Sequence, residues 1–126
     1  MCFDFPEQNT TVYGLSYWHR EIRQALYDEV FPKNTDRINI LLAHGGDERH
    51  IPFSVEKILR HGFDYIAAGH IHKGGQLVQG RAVMAGALEP TDCNDTGAHG
   101  YWMGDIGKTH CEVSFCLLYT SDAADD

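Results

Sequence analysis

The run Phe63-Asp64-Tyr65-Ile66-Ala67-Ala68-Gly69-His70-Ile71-His72 constrains this chain more than any other segment. It reads as a short buried strand that stops at Gly-His-x-His. Two imidazoles at i and i+2, just past a strand end, can face one small volume if the backbone leaves the sheet there, and Gly69 supplies the freedom for that turn. Imidazole is a borderline ligand suited to zinc, manganese, iron or nickel. The plainer reading is two surface histidines on a loop. A second segment argues against it: Arg37-Ile38-Asn39-Ile40-Leu41-Leu42-Ala43-His44-Gly45-Gly46 is again an apolar run ending in His and then Gly. Two strands that deliver histidines at their carboxyl ends predict a site on the rim of a sheet.

The surrounding pattern predicts an α/β layer. Thr10 to Ser16 is β-prone, with a break at Gly14. Trp18, Ile22, Leu26 and Val30 recur every four residues, which predicts an amphipathic helix over Tyr17 to Val30 that Pro32 stops. Ile38 to Ala43 is continuously apolar, as expected of an interior strand covered on both faces. Ser54 can cap a helix over Val55 to His61, with Phe53 and Ile58 spaced as a hydrophobic staple and Gly62 closing the end. Asp64 to Ala68 is the next strand. Two β-to-helix-to-β steps are the grammar of an α/β fold. After His72 the grammar changes to short strands without helices. Gln76–Gln79 and Arg81–Ala85 read as a hairpin about Gly80, and 99–106 with 110–115 as a second pair about Gly107-Lys108. Gly86 to Gly97, with Pro90, Asp92, Asn94 and Asp95, is a loop.

At 126 residues the chain is at most one domain. No stretch approaches the roughly 18 apolar residues of a membrane span. The N-terminus lacks the basic and apolar regions of a signal peptide. Cys2, Cys93, Cys111 and Cys116 form no CxxC pair, so reduced thiols in a cytoplasmic protein are expected. The net charge of −8 excludes a generally nucleic-acid-coating surface, though not a local site where bound metal supplies positive charge. The last eleven residues, Cys116 to Asp126, read in order as the conceptual translation of a transposase-based sequencing adapter. This places the native sequence at 1–115, with 116–126 an adapter-derived tail. Without the three acids of that tail the net charge moves from −8 to −5. The same reading expects the parent gene to continue beyond Phe115, and Met1 to be an internal methionine. The alternative is a native acidic tail.

His44, His70 and His72 are three of the ligands a metal centre would need. Phosphate-ester hydrolysis more often uses two metals roughly 3.5–4 Å apart, with a bridging carboxylate. The loop acids Asp47, Glu48, Glu89, Asp92 and Asp95 are not expected beside a second ligand at a strand end, so the histidines look like half of a site. His19 is expected at the surface of a helix, and Arg49 and His50 on a solvated loop, with contact to a substrate phosphate the alternative. His61 suits the end of its helix. His99 and His110 are expected to be structural or exposed. Tyr101 and Trp102 are half-buried strand aromatics, with base stacking the alternative. Asp92 and Asp95 serve turns.

Strand-His44-Gly45 followed by Phe63 to His72 resembles the second half of the calcineurin-like metallophosphoesterases. Val83-Met84-Ala85-Gly86-Ala87-Leu88-Glu89-Pro90, followed by Gly97-Ala98-His99-Gly100-Tyr101, is similar to the segment after Gly-His-x-His in their DNA-repair exonuclease branch, which includes the nuclease subunit of SbcCD. The resemblance covers roughly 12–115. It implies the C-terminal half of an αββα sandwich of two sheets with outer helices. It also implies two divalent metals, manganese in that branch, with His44 and His70 on one ion and His72 on the other. The family's Asp-x-His, Gly-Asp-x-x-Asp and Gly-Asn-His-Asp/Glu motifs are absent here, so this polypeptide alone is expected to be inactive. The implied substrate is DNA or another phosphodiester, and the implied partner a coiled-coil ATPase, with no membrane. Alternatives are a nucleotide or phosphoprotein phosphoesterase, or a non-catalytic binding scaffold on the same fold. An amidohydrolase-type His-x-His does not fit, because here a strand-His precedes it and antiparallel strands follow.

Overall fold

The computed structural model describes residues 1–121. Eight strands and one helix follow in the order β1 (Cys2–Phe5), β2 (Thr10–Tyr13), β3 (Ile38–His44), α1 (Val55–Arg60), β4 (Tyr65–Gly69), β5 (Gly75–Val78), β6 (Ala82–Met84), β7 (Gly97–Ile106) and β8 (Cys111–Ser121), with short 3-10 turns at Pro6–Gln8 and Leu26–Glu29. The first six strands form one mixed sheet in the order β1-β2-β3-β4-β6-β5. Its centre is parallel: β2 with β3, β3 with β4, and β4 with β6. β1 and β5 close the edges antiparallel. β7 and β8 make a separate antiparallel ribbon. The class is therefore α/β, with a mixed sheet and little helix.

The register of β3 against β4 sorts the apolar residues by face. Leu41 lies beside Ile66, and Ala43 beside Ala68. These four are buried, with Ile58 of α1, Ile22 and Tyr27, in the main core. α1 forms as its sequence predicts: Ser54 Oγ accepts from the Lys57 N–H at 3.3 Å, and Gly62 follows at φ +111°.

Two expectations are corrected. No helix forms over Tyr17 to Val30; only Leu26–Glu29 winds, as a 3-10 turn. The backbone of this segment pairs outward instead. The Ile22 N–H donates to the Arg49 carbonyl (2.8 Å), and the Ile51 N–H to the Ile22 carbonyl (2.7 Å). Arg20, Glu21, Arg23, Gln24, Ala25, Leu26 and Glu29 are good helix formers, so propensity favours the helix and the tertiary pairing with residues 49–51 overrides it. Trp18, placed on the expected apolar face, is 60% exposed. The second correction concerns β3. It is covered on one face only among the described residues: Asn39, Leu41 and Ala43 are buried, while Leu42 on the opposite face is 52% exposed. That open face forms an apolar concavity of about 480 Å³ with Phe3, Val12 and Ala67 beside His44.

The two late pairs form where expected, but the second is longer. β8 runs to Ser121, pairing Cys116 with Tyr101 and Thr120 with Ala98. The expected adapter-derived tail therefore overlaps β8 as far as 121, and 122–126 lie outside the described residues. Among the described residues, no helix is long and apolar enough to cross a membrane.

Candidate metal centre

Parallel β3 and β4 end side by side, with His44 opposite Gly69 in register. The Gly45 N–H continues the ladder by donating to the Gly69 carbonyl at 3.1 Å. The two histidines thus leave adjacent strand ends, as the repeated strand-His pattern predicts. Their ring centroids are 5.0 Å apart. The sharp turn is made at His70 itself, at φ +109°, not at Gly69. A non-glycine residue there stores roughly 1–3 kcal/mol of strain, which is what sites that fix a side chain direction commonly carry.

The loop after β3 then folds back over both ends. Gly45 and Gly46 adopt φ +149° and +112°, and a β-carbon at Gly45 would collide with the His50 carbonyl. The Gly46 N–H donates to that carbonyl at 2.8 Å. This return brings Asp47 and His50 onto His70. Asp47 Oδ1 meets His50 Nδ1 at 2.7 Å, and Oδ2 meets His70 Nε2 at 2.7 Å. The His50 and His70 rings lie 4.3 Å apart. One donor atom from each of Asp47, His50 and His70 lies within 4.8 Å of the others.

The expectation that no loop acid lies beside a second ligand is therefore overturned by Asp47. It lies 23 positions from His70, and only the double-glycine return joins them. His50, expected in solvent, packs against His70; the Gly45-Gly46 pair was the available signal for both. Tyr17 also reaches the site, its ring edge-on to His44 at 5.7 Å and its hydroxyl buried without a hydrogen-bond partner among the described residues. Tyr27 Oη accepts from the His44 N–H at 3.0 Å and fixes the strand end. His72 lies elsewhere: its Nδ1 faces Asp95 Oδ2 at 3.2 Å and Thr91 Oγ1 at 3.3 Å. His19 is exposed, as expected, but not on a helix. His61 Nδ1 donates to the Val30 carbonyl at 3.0 Å.

The electrostatics favour ligation. The hydrogen bond from His50 first, with those from His70 and the Arg49 N–H, holds the Asp47 carboxyl far below the usual carboxylate range, against a burial cost larger than either of the latter two. His44 is held below the ordinary imidazole range, first by withdrawal from water and then by the neighbouring His70 and His50. An ionised Asp47 carboxylate and a His44 ring held toward its neutral form are in the states that ligation of a divalent metal requires. The nitrogen and oxygen donors suit manganese, iron or zinc without selecting among them.

A sheet rim with this donor set defines a candidate divalent-metal site. The chain is similar to the uncharacterized metallophosphoesterase YhaO of Bacillus subtilis (strain 168), 26% identical over an alignment of 114 residues that covers 83% of this chain. The match spans only 27% of that relative's length. No family model matches the chain, and no solved structure does. The similarity supports the metallophosphoesterase superfamily and no finer assignment.

Proposed function

We propose that this chain is part of a metallophosphoesterase that hydrolyses phosphodiesters, acting at DNA ends in the manner of the repair exonucleases. The observation that carries the reading is the adjacent delivery of His44 and His70 by parallel strands, rings 5.0 Å apart. His44 and His70 would hold one divalent ion, and His72 a second. Asp47 and His50 offer further donors at His70. Such ions, manganese in this reading, would activate water and offset the charge that builds on phosphorus. The chain's own contribution is rigidity: the ladder bond at Gly45, the Tyr27 contact and the strained turn at His70 fix the imidazoles before any ligand arrives.

The uncovered apolar face of β1–β3 supports the larger architecture. A strand as apolar as β3 suits cover on both sides, and Leu42 and Phe3 stand open. A second layer, as in a two-sheet αββα sandwich, would cover them. The acids of the upstream family motifs would come with that layer, and without them the chain binds metal but does not turn over substrate. The parent protein is cytoplasmic in this reading and works with a coiled-coil ATPase.

Manganese titration followed by histidine NMR tests the metal reading. Paramagnetic broadening should reach His44 and His70 first, and His70→Ala should abolish that selectivity. Uniform broadening of every exposed histidine would overturn it. In parallel, the chain with manganese should leave bis-p-nitrophenyl phosphate uncleaved. Turnover that His70→Ala removes would refute the inactivity.

A further inference from the structure

We propose that the cleft between 19–21 and 49–50 is an anion subsite that grips the phosphate backbone of a polynucleotide strand alongside the histidine cluster. This rests on the phosphodiesterase reading above and names the groups that would hold the strand beyond the scissile phosphate. The cleft measures about 720 Å³ and is lined by His19, Arg20, Glu21, Arg49 and His50. His50 belongs to both places: it lines the cleft and packs on His70 at 4.3 Å. A chain held in the cleft is thereby led to the histidines.

The cleft is built on fixed backbone. The paired hydrogen bonds between Ile22 and residues 49 and 51 clamp its two walls together, and Ile22 and Ile51 are buried beneath it. Its cations are available. Among the described residues Arg20 makes no ion pair, and Arg49 only a 4.0 Å contact to Glu21, which Arg23 shares at 3.3 Å. Exposed pairs of this kind contribute little and exchange readily for a phosphate, which a guanidinium fork binds at two points. Arg37 and Arg81, by contrast, are engaged with Thr11 and Asp4 and with the Asp64 carbonyl. On a chain of net charge −8, free guanidinium groups beside the site are a local exception. Trp18, 60% exposed, adjoins His19 with ring centroids 6.4 Å apart. Cations along a groove with a free aromatic face are the combination that binds single strands by backbone charge and base stacking. That aromatic favours a polynucleotide over an isolated phosphate or a phosphopeptide.

Fluorescence anisotropy of a labelled single-stranded DNA oligonucleotide, with the full chain in EDTA, tests this without hydrolysis. The double variant Arg20→Gln/Arg49→Gln should weaken binding about tenfold at low salt. It should also flatten the salt slope by roughly 0.7 for each phosphate that is no longer neutralised. Trp18→Ala should weaken binding and leave the slope unchanged, and Arg60→Gln on α1 should change neither. Unchanged affinity and slope in the double variant would overturn the proposal. Displacement of the strand by inorganic phosphate or a phosphoserine peptide at equal concentration would also overturn it, in favour of an isolated-anion site. Manganese uptake by His44 and His70, measured separately, separates the two readings. If it persists while the cleft variants have no effect, only the cleft is refuted; if it too is missing, the phosphoesterase reading falls with it.

Discussion

The six-stranded sheet and the β7–β8 ribbon have comparable backbone ladders and very different interiors. In the sheet, Leu41, Ile66 and Ala82 are fully buried and pack with Ile58 of α1. In the ribbon, Tyr101, Met103, Leu117 and Leu118 are 48–64% exposed. Trp102 and Phe115 pair across the ribbon with ring centroids 5.4 Å apart. At the tip of the ribbon, Lys108 Nζ reaches the buried Asp64 carboxylate of the sheet side at 3.0 Å. Asp64 in turn accepts the Asn39 N–H of β3. Pairing of strands is a backbone matter, whereas stability comes from apolar side chains leaving water. The metal-type residues sit on the half where both are present.

The largest effect expected from this contrast is in the core. Ile66→Ala should cost about 2–5 kcal/mol of unfolding free energy, the range for large-to-small changes in a packed interior. Met103→Ala, on the exposed ribbon face, should stay within about 0.5 kcal/mol. Urea denaturation of both variants checks the pair. Equal losses would mean that the ribbon buries its outer face against something and that the contrast is wrong.

The same contrast explains what could be read from sequence. β3, β4 and α1 were legible because apolar runs, a Ser54 cap and a closing Gly62 all agree locally. His44 and His70 were legible because each ends such a run. The 17–30 segment was not, because its spacing mimics a helix while its hydrogen bonds go to residues 49–51. Asp47 and His50 join His70 only through the fold of Gly45 and Gly46, a contact between residues far apart in sequence. The single covered face of β3 was also hidden, since an apolar run reports what a strand can bury and not what lies over it.

An intermediate effect is expected at His99, where the ribbon begins. Its ring is buried, with Nδ1 2.9 Å from the Ala87 carbonyl and Nε2 2.9 Å from the Asp95 carbonyl. Both partners are acceptors, so only the imidazolium can donate at both ends. The Ala87 and then the Asp95 contact raise the His99 pKa above its ordinary 6.5, against the cost of burial. A raised folded value means that this contribution to stability is fully present below pH 6.5 and is lost as pH climbs through the folded pKa. The advantage of the wild type over His99→Gln in urea should therefore shrink as pH rises above 6.5. An advantage that grows with pH would show that His99 is held neutral.

The smallest effect is expected from ending the chain at Phe115. Leu117, Leu118 and Thr120 are exposed, and each ladder hydrogen bond contributes roughly 0.5–1.5 kcal/mol net. Freeing the backbone of each residue returns roughly 1–2 kcal/mol of conformational entropy, which offsets the removal of those bonds. Leu117 and Leu118 bury too little to tip the balance. Removal of 116–126 should then move the urea midpoint by less than the equivalent of about 0.5 kcal/mol. A destabilisation near that of Ile66→Ala would instead make the tail an integral strand of the folded ribbon, against its reading as an adapter-derived extension.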